Sequence, residues 1–250
     1  MDYATYVAEA KAEETHWWFV GRRTLFAREL RRQGISDDAR ILDVGTSTGT
    51  NLRMLGAEGY RNFIGLDLSS DAIRLAEMKG LGRVEQGDVC RMPFEDASFD
   101  VVLATDIIEH VDNDLKALEE INRVLAPGGT ALITVPAFQS LWGLQDDVAR
   151  HKRRYRKGPL LMQIRRADLV VGRNYYFNYI LFAPIWIARQ AIGLFKVKVS
   201  SENDINTPAL NRVLGLIFSL DVAIAPWLRL PFGVSILAVA EKPESKTASF

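Results

Sequence analysis

Cysteine is all but missing from this sequence. Cys90 stands alone among 250 residues, so no internal disulfide can form and a reducing compartment is expected. An excess of either charge is missing too. Thirty-one basic residues balance 31 acidic ones, which argues against general polyanion binding and says nothing of local patches. The first turns carry acids and show no charged-then-apolar leader pattern, so secretion is not expected and a cytoplasmic location is. There is no internal repeat, and no low-complexity segment beyond the polar tail after Pro243. Apolar stretches exist, but none reaches the roughly 18 charge-free residues that a spanning helix needs, so a transmembrane chain is not expected. Histidine is scarce at three residues, which narrows the search for a proton-transfer group to His16, His110 and His151.

What remains is ordinary globular composition, 48% hydrophobic and 25% charged, in a chain long enough for one α/β domain with a sizeable insertion. The stretch ILDVGTSTGTN, Ile41 to Asn51, reads as a buried parallel strand, a tight turn of small residues and the start of a helix. Such a turn lets backbone approach a nucleoside-containing cofactor, and the helix N-terminus behind it favours a carboxylate or phosphate. Alone it is weak evidence, since dehydrogenases share it. Strands follow at Phe63–Leu66, near Asp88, at Phe99–Ala104 and at TALITVP, with Ser69 and Ser70 capping a helix and LAPGG stopping another. Strands alternating with helices mean a parallel, doubly wound sheet, and each polar group of interest lies at a strand's C-terminal end, where such sheets bind ligands.

Before the turn, Tyr3 to Gln33 read as one helix holding HWWFVGRR. Two adjacent tryptophans cannot share a helix face, so one is expected on the core and the other toward a ligand, cap or membrane. The structural reading is a helix over the sheet edge. The functional one is a lid on the cofactor that uses Trp18, with Arg22 or Arg23 meeting a carboxylate.

ILDVGTSTG, GLDLS, GDVCRMPF, FDVVLATDIIEHV and RVLAPGGTALITVP, in this order and at these intervals, resemble class I S-adenosylmethionine-dependent methyltransferases over Ile41 to Pro136. HWWFVGRR, HKRRYRK and LPFGVSILAVAEKP are similar to one widespread bacterial branch of that family, of methyltransferase type 11. The resemblance implies a Rossmann-like seven-stranded sheet with an antiparallel last strand, at Gly233–Ala240. It implies S-adenosylmethionine as cofactor and S-adenosylhomocysteine as product. Gly45, Thr46 and Gly49 would bracket the methionine part with Asp43 supporting the turn. Asp67, followed by Leu68, would take the ribose hydroxyls, Asp88 and the Val89 backbone the adenine amine, and Thr105 or Asp106 the methyl-donor side. Where the family usually has glycine this chain has Ser47, tolerable if φ there is negative.

Methyl transfer needs the acceptor held in line, and a hydroxyl acceptor also needs a base. His151, in LQDDVARHKRRYRK after the fifth strand, is the candidate base, oriented by Asp146 or Asp147; Asp106 and His110 are further catalytic candidates. The structural reading makes Glu109 and His110 orient the next helix and His151 part of a solvated basic loop. The cations of His151–Lys157 are open to three readings: a solvated helix entry, a clamp for an anionic acceptor, or an RNA contact. No metal site is assigned.

The regions read as a helical lid (1–38), the Rossmann-like core (39–176 and 231–243), an apolar helical cap inserted between strands six and seven (177–230) and a flexible tail (244–250). The cap comprises two helices joined by SSENDINTPALN. It packs on the core, on a second copy, or on lipid, with Trp186, Trp227, Arg189 and Arg229 at its rim. The expected acceptor is a small apolar or amphipathic molecule, lipid-linked or anionic among the options. The expected assembly is a monomer or homodimer, with peripheral membrane contact through 177–230 and no nucleic acid. Rival readings keep the cofactor but methylate RNA or protein, which would need a continuous basic groove or an acidic-aromatic amine pocket. Others use it for cyclisation or decarboxylation, or keep only the fold.

Overall fold

The computed structural model describes residues 3–195 and 207–244; most of the segment joining the cap helices, 196–206, and the tail 245–250 lie outside them. One seven-stranded sheet runs in the order β3-β2-β1-β4-β5-β7-β6. Its strands are β1 (Arg40–Val44), β2 (Asn62–Asp67), β3 (Arg83–Gln86), β4 (Phe99–Thr105), β5 (Leu125–Pro136), β6 (Val170–Phe177) and β7 (Ser235–Glu241). β7 is antiparallel to both neighbours, pairing Leu132 with Val239 and Tyr175 with Leu237. Ile41, Leu42, Val44 and Val101–Ala104 are fully buried, as strands covered on both faces require. The sequence direction of the sheet reverses between β1 and β4, so the crevice beyond their C-terminal ends is the place for a ligand.

The helices are α1 (Tyr3–Thr15), α2 (Trp17–Arg32), α3 (Thr50–Glu58), α4 (Ser70–Met78), α5 (Asp114–Val124), α6 (Leu144–Val148), α7 (Lys157–Arg166), α8 (Phe182–Phe195) and α9 (Pro208–Leu228). Their starts follow local chemistry. The Ser69 hydroxyl accepts from Ala72 N at 3.4 Å, Asn113 accepts from Lys116 N at 3.0 Å, and Thr207 precedes Pro208 at the head of α9.

Several expectations change. The expected single helix from Tyr3 to Gln33 is two, parted at His16, whose extended backbone and ring nitrogen cap α2 through Trp18 N. Asn211 of α9 clips this break from outside, accepting from Trp17 N and donating to Thr15 O, both at 2.8 Å. LAPGG does end α5, but it lies inside β5 rather than before it. Leu125 pairs with Phe99 across an irregularity that Gly128, at φ +76°, helps to absorb. β3 stops at Gln86, short of Asp88, which forms an isolated bridge to Arg91.

The tryptophans do not divide as expected. Both meet Phe218 of α9, Trp17 edge-on at 5.4 Å and Trp18 stacked at 5.2 Å. Gly21 makes this possible, since a Cβ there would lie 2.1 Å from the Phe218 ring. α9 is also anchored through Asp221, whose buried carboxylate accepts from the N–H groups of Asn178, Tyr179 and Ile180. By length and composition α9 could cross a bilayer, against the sequence expectation. Its 21 residues include a window of mean hydropathy 1.5, only 22% of it buried. The two charges that break the apolar run, Arg212 and Asp221, are few enough to leave the helix that apolar.

Candidate active site

At the end of β1 the chain turns through Gly45 at φ +69°, Ser47 at +48° and Gly49 at +87°. Ser47 therefore departs from the expected negative φ. It adopts the left-handed conformation that a glycine would hold there more easily, because that conformation aims its N–H at Asp67 Oδ2, 2.8 Å away. Asp67 Oδ1 accepts from Ser69 N, also at 2.8 Å, so two backbone groups orient the carboxylate at the end of β2. Asp43 is fully buried. It accepts from the Thr46 hydroxyl at 2.6 Å and from Asn51 Nδ2 at 2.9 Å, and burial pushes its pKa up to about 6 against the pull of those bonds. Asn51 also donates to Thr105 Oγ1 at 2.9 Å, joining the turn to the end of β4. The sequence reading missed Asn51, although it stands at the end of the stretch that organised that reading. Asp88 Oδ1 accepts from Cys90 N, Val89 is buried beside it, and Leu68 is 68% exposed.

Asp106, next after β4, sits at φ +54° and forms an ion pair of 2.7 Å with Arg22 of α2. The Arg22 guanidinium lies 5.6 Å from the Trp18 ring and 5.3 Å from that of Phe26. The carboxylate Arg22 meets is thus one of the protein's own, while Arg23 donates to Glu13 O and Thr50 Oγ1, both at 2.6 Å. On α1, Glu9 is pushed up to about 7 by desolvation and by neighbouring Glu13.

His151 Nδ1 lies 2.8 Å from Asp146 Oδ1, which decides between the two aspartates; Asp147 instead accepts from Trp142 Nε1. Burial alone would raise the Asp146 pKa, but the bonds from His151 and Arg154 hold it near 2. A carboxylate so held only accepts, so Nδ1 of His151 carries the hydrogen of this bond and Nε2 is left to the chamber. The rings of His151 and His110 meet edge to face at 4.7 Å. Burial, with His151 adding to it, lowers the His110 pKa to about 4. Glu109 is fully buried, and its carboxyl is raised well above the usual range by burial and by Asp106. Neither Glu109 nor His110 caps α5; Asn113 does.

Within the basic run, Lys152 and Arg156 are exposed, while three of its cations pair with acids of the protein itself. Lys152 pairs with Asp112, Arg153 with Asp114 at 3.2 Å and Arg154 with Asp146 at 2.8 Å. Tyr155 is buried, donating to Asp114 at 2.9 Å. The run fastens its own loop to residues 108–114. Arg189 was expected on the cap's rim; its side chain is 9% exposed and lies 3.5 Å from Asp146.

Gly45, Asp67 and Asp88 share one chamber of about 1580 Å³ with Asp106, His110, His151 and the cap residues Ile185 and Leu214.

Residues 42–133 match the family model of a methyltransferase domain. The chain is 31% identical over 129 residues to demethylmenaquinone methyltransferase of Staphylococcus aureus, covering 47% of this chain and 54% of that one. It thus spans about half the length of that relative. It is 28% identical over 153 residues to an uncharacterized protein of Methanocaldococcus jannaschii, covering 60% of this chain and 71% of that one. In fold it is similar to a chain from the complex between the Haloferax volcanii Trm112 methyltransferase activator and a methyltransferase. There the TM-score is 0.65 at 20% identity, over 97% of this chain and 96% of that one. Residues 42–133 are thus a methyltransferase domain, set in the seven-stranded sheet that the resemblance to class I S-adenosylmethionine-dependent methyltransferases implied.

Proposed function

We propose that the protein transfers the methyl group of S-adenosylmethionine to a small, apolar or amphipathic acceptor. The observation that carries this reading is the single chamber in which nucleoside-binding groups at one end face histidines and an apolar cap at the other. The residues fit the cofactor. Asp67 keeps lone pairs for ribose hydroxyls after its two backbone bonds. Leu68 and Val89 offer apolar contacts to an adenine, with Asp88 beside them for its amine. The buried Ser47 hydroxyl has no partner among the described residues, as suits a group awaiting a polar ligand atom. A Cβ on Gly45 would lie 2.5 Å from Ile107, so the turn passes as close to its surroundings as backbone can. Asp43, through Thr46 and Asn51, positions the turn that includes Gly49. Trp18 and Arg22 roof the chamber.

When bound, the cofactor supplies an electrophilic methyl carbon on sulfonium. The chain's own part is to hold an acceptor heteroatom in line, exclude water and relieve that atom of its proton. Asp106, His110 and His151, with Glu109 among them, are the groups placed for this at the acceptor end. The pairing of the basic run within its own loop weighs against an RNA acceptor, and the relative named for demethylmenaquinone favours a small molecule.

The outer face of the cap extends the reading to a membrane surface. Val213, Leu216, Leu220 and Trp227 form an exposed stripe at helical spacing on α9. Arg212 and Arg229 flank it, Arg32 lies 5.9 Å from the Trp227 ring, and α9 exposes no acid. Apolar side chains with a basic rim suit an anionic bilayer. Flotation with vesicles of phosphatidylcholine and phosphatidylglycerol should carry the protein upward, and Leu216→Glu should abolish this. A protein that stays behind and sediments as a dimer would give the face to a second copy.

Calorimetric titration with S-adenosylmethionine and S-adenosylhomocysteine tests the central reading. Micromolar binding of both is expected, and no binding by a folded sample overturns it.

A further inference from the structure

Glu109, His110 and His151 come from two segments about 40 residues apart, and each offers one ligand atom such that all three atoms lie within 4.8 Å of one another. The surroundings of each are those of a ligand awaiting an ion. His151 donates Nδ1–H to Asp146, which leaves its Nε2 lone pair available and fixes the ring. The His110 ring packs edge to face on the fixed ring of His151 at 4.7 Å. Ligating histidines are usually held as His151 is, one nitrogen on a carboxylate or carbonyl and the other on the metal. Asp146 is in turn fixed by Arg154 and by Gly143 N.

Glu109 distinguishes a metal site from a simple histidine base. A base of the His–Asp kind is complete with His151 and Asp146. It does not call for a second carboxylate with zero exposure, placed against two imidazoles. Among the described residues neither oxygen of Glu109 has a hydrogen-bond partner beyond its own residue. A buried acid left this way is costly, and buried charges are normally paired or coordinate a metal.

We propose that Glu109, His110 and His151 form a binding site for one divalent transition-metal ion, with further coordination positions open to the chamber. Two imidazoles and one carboxylate suit zinc, cobalt, iron or manganese better than calcium or magnesium, which prefer all-oxygen sites. An oxygen or nitrogen of the acceptor takes an open position; with the imidazole lone pairs on the ion, Asp106 is the group left to take the acceptor's proton. That role rests on the chamber being the acceptor site, whereas the binding of the ion does not.

The test uses tag-free, metal-stripped full-length protein titrated with Co²⁺ and with Zn²⁺, followed by calorimetry and, for cobalt, by visible absorption. One equivalent should bind, with the d–d bands of a low-symmetry site for cobalt, and Glu109→Gln should weaken binding at least tenfold. Because the amide replaces an uncompensated buried acid, that variant should melt no lower than the wild type when metal-free. A melting curve and a retained S-adenosylhomocysteine affinity then separate loss of the site from loss of the fold. Absence of cobalt and zinc binding, or equal binding by Glu109→Gln, overturns the proposal. S-adenosylhomocysteine binding in that case would leave the methyltransferase reading standing. Metal binding without cofactor binding would do the reverse.

Discussion

The two ends of the chamber are built by different means. At the cofactor end, the carboxylates stand in the parallel strands or just beyond their C-terminal edge, and backbone N–H groups orient two of them: Ser47 and Ser69 on Asp67, Cys90 on Asp88. At the acceptor end, side chains orient one another, some within one loop and some across long stretches of sequence. Arg22 of α2 meets Asp106, and Asp146 fixes both His151 and Arg154. The roof is held by Asn211 and Phe218 against a helix nearly 200 residues earlier. A site made of strand ends is set by the sheet itself. One made of side-chain pairs on loops and helices is set by tertiary docking, and can be dismantled while the sheet stands.

Four substitutions sharpen this contrast. Asp221→Ala leaves three N–H groups, two of them buried, without an acceptor. It should destabilise the protein by roughly 3 kcal/mol or more. Limited proteolysis should cut the cap before the sheet; a uniform loss of protection would mean that the two ends are not separable. Asp43 tests the cofactor end. Its folded pKa of about 6 exceeds the ordinary carboxylate value of 3.8, so the folded state holds this proton more tightly than the unfolded one. Stability from this group is therefore greatest below pH 4. It is lost as pH rises through 6, by roughly 3 kcal/mol in all. Asn at this position can accept from Asn51 and donate to Thr46, so Asp43→Asn should flatten urea-derived stability between pH 4 and 6. An unchanged slope would refute the assignment.

Asp67→Ala should weaken cofactor binding by about 1–3 kcal/mol, since the ribose loses its acceptor. Cobalt binding at the other end should be untouched. The smallest change is Ser47→Gly. Relief of a left-handed serine should raise stability by up to about 1 kcal/mol in a denaturant titration. A loss of cofactor affinity in the same variant would give the orphaned hydroxyl a binding role.

This division also explains what the sequence disclosed. The strands, their order and the acids at their ends were legible because buried apolar runs and glycine turns are local signals. Asp43 lies within β1 and Asp67 ends β2, whereas Asp88 falls two residues past the end of β3. The sign of φ at Ser47 was not legible because it depends on where its N–H must point, and Asp67 is 20 residues away. The single long helix failed at His16 because the contact that stabilises the break comes from Asn211. The basic run looked like a ligand clamp because Asp112, Asp114 and Asp146 pair with it only after the loop folds. Glu109 seemed a helix-orienting residue because burial with no partner cannot be read from its neighbours in sequence.

The seating of Phe218 over Gly21 has a consequence for how the chamber can move. Only the Phe218 ring lies between the two helices there, so α2, whose Arg22 reaches Asp106, cannot shift far without carrying α9, whose Leu214 lines the chamber. The interlock of one glycine and one phenylalanine thus makes the two helices a single moving part, and any displacement of the roof at Arg22 is a displacement of the wall at Leu214.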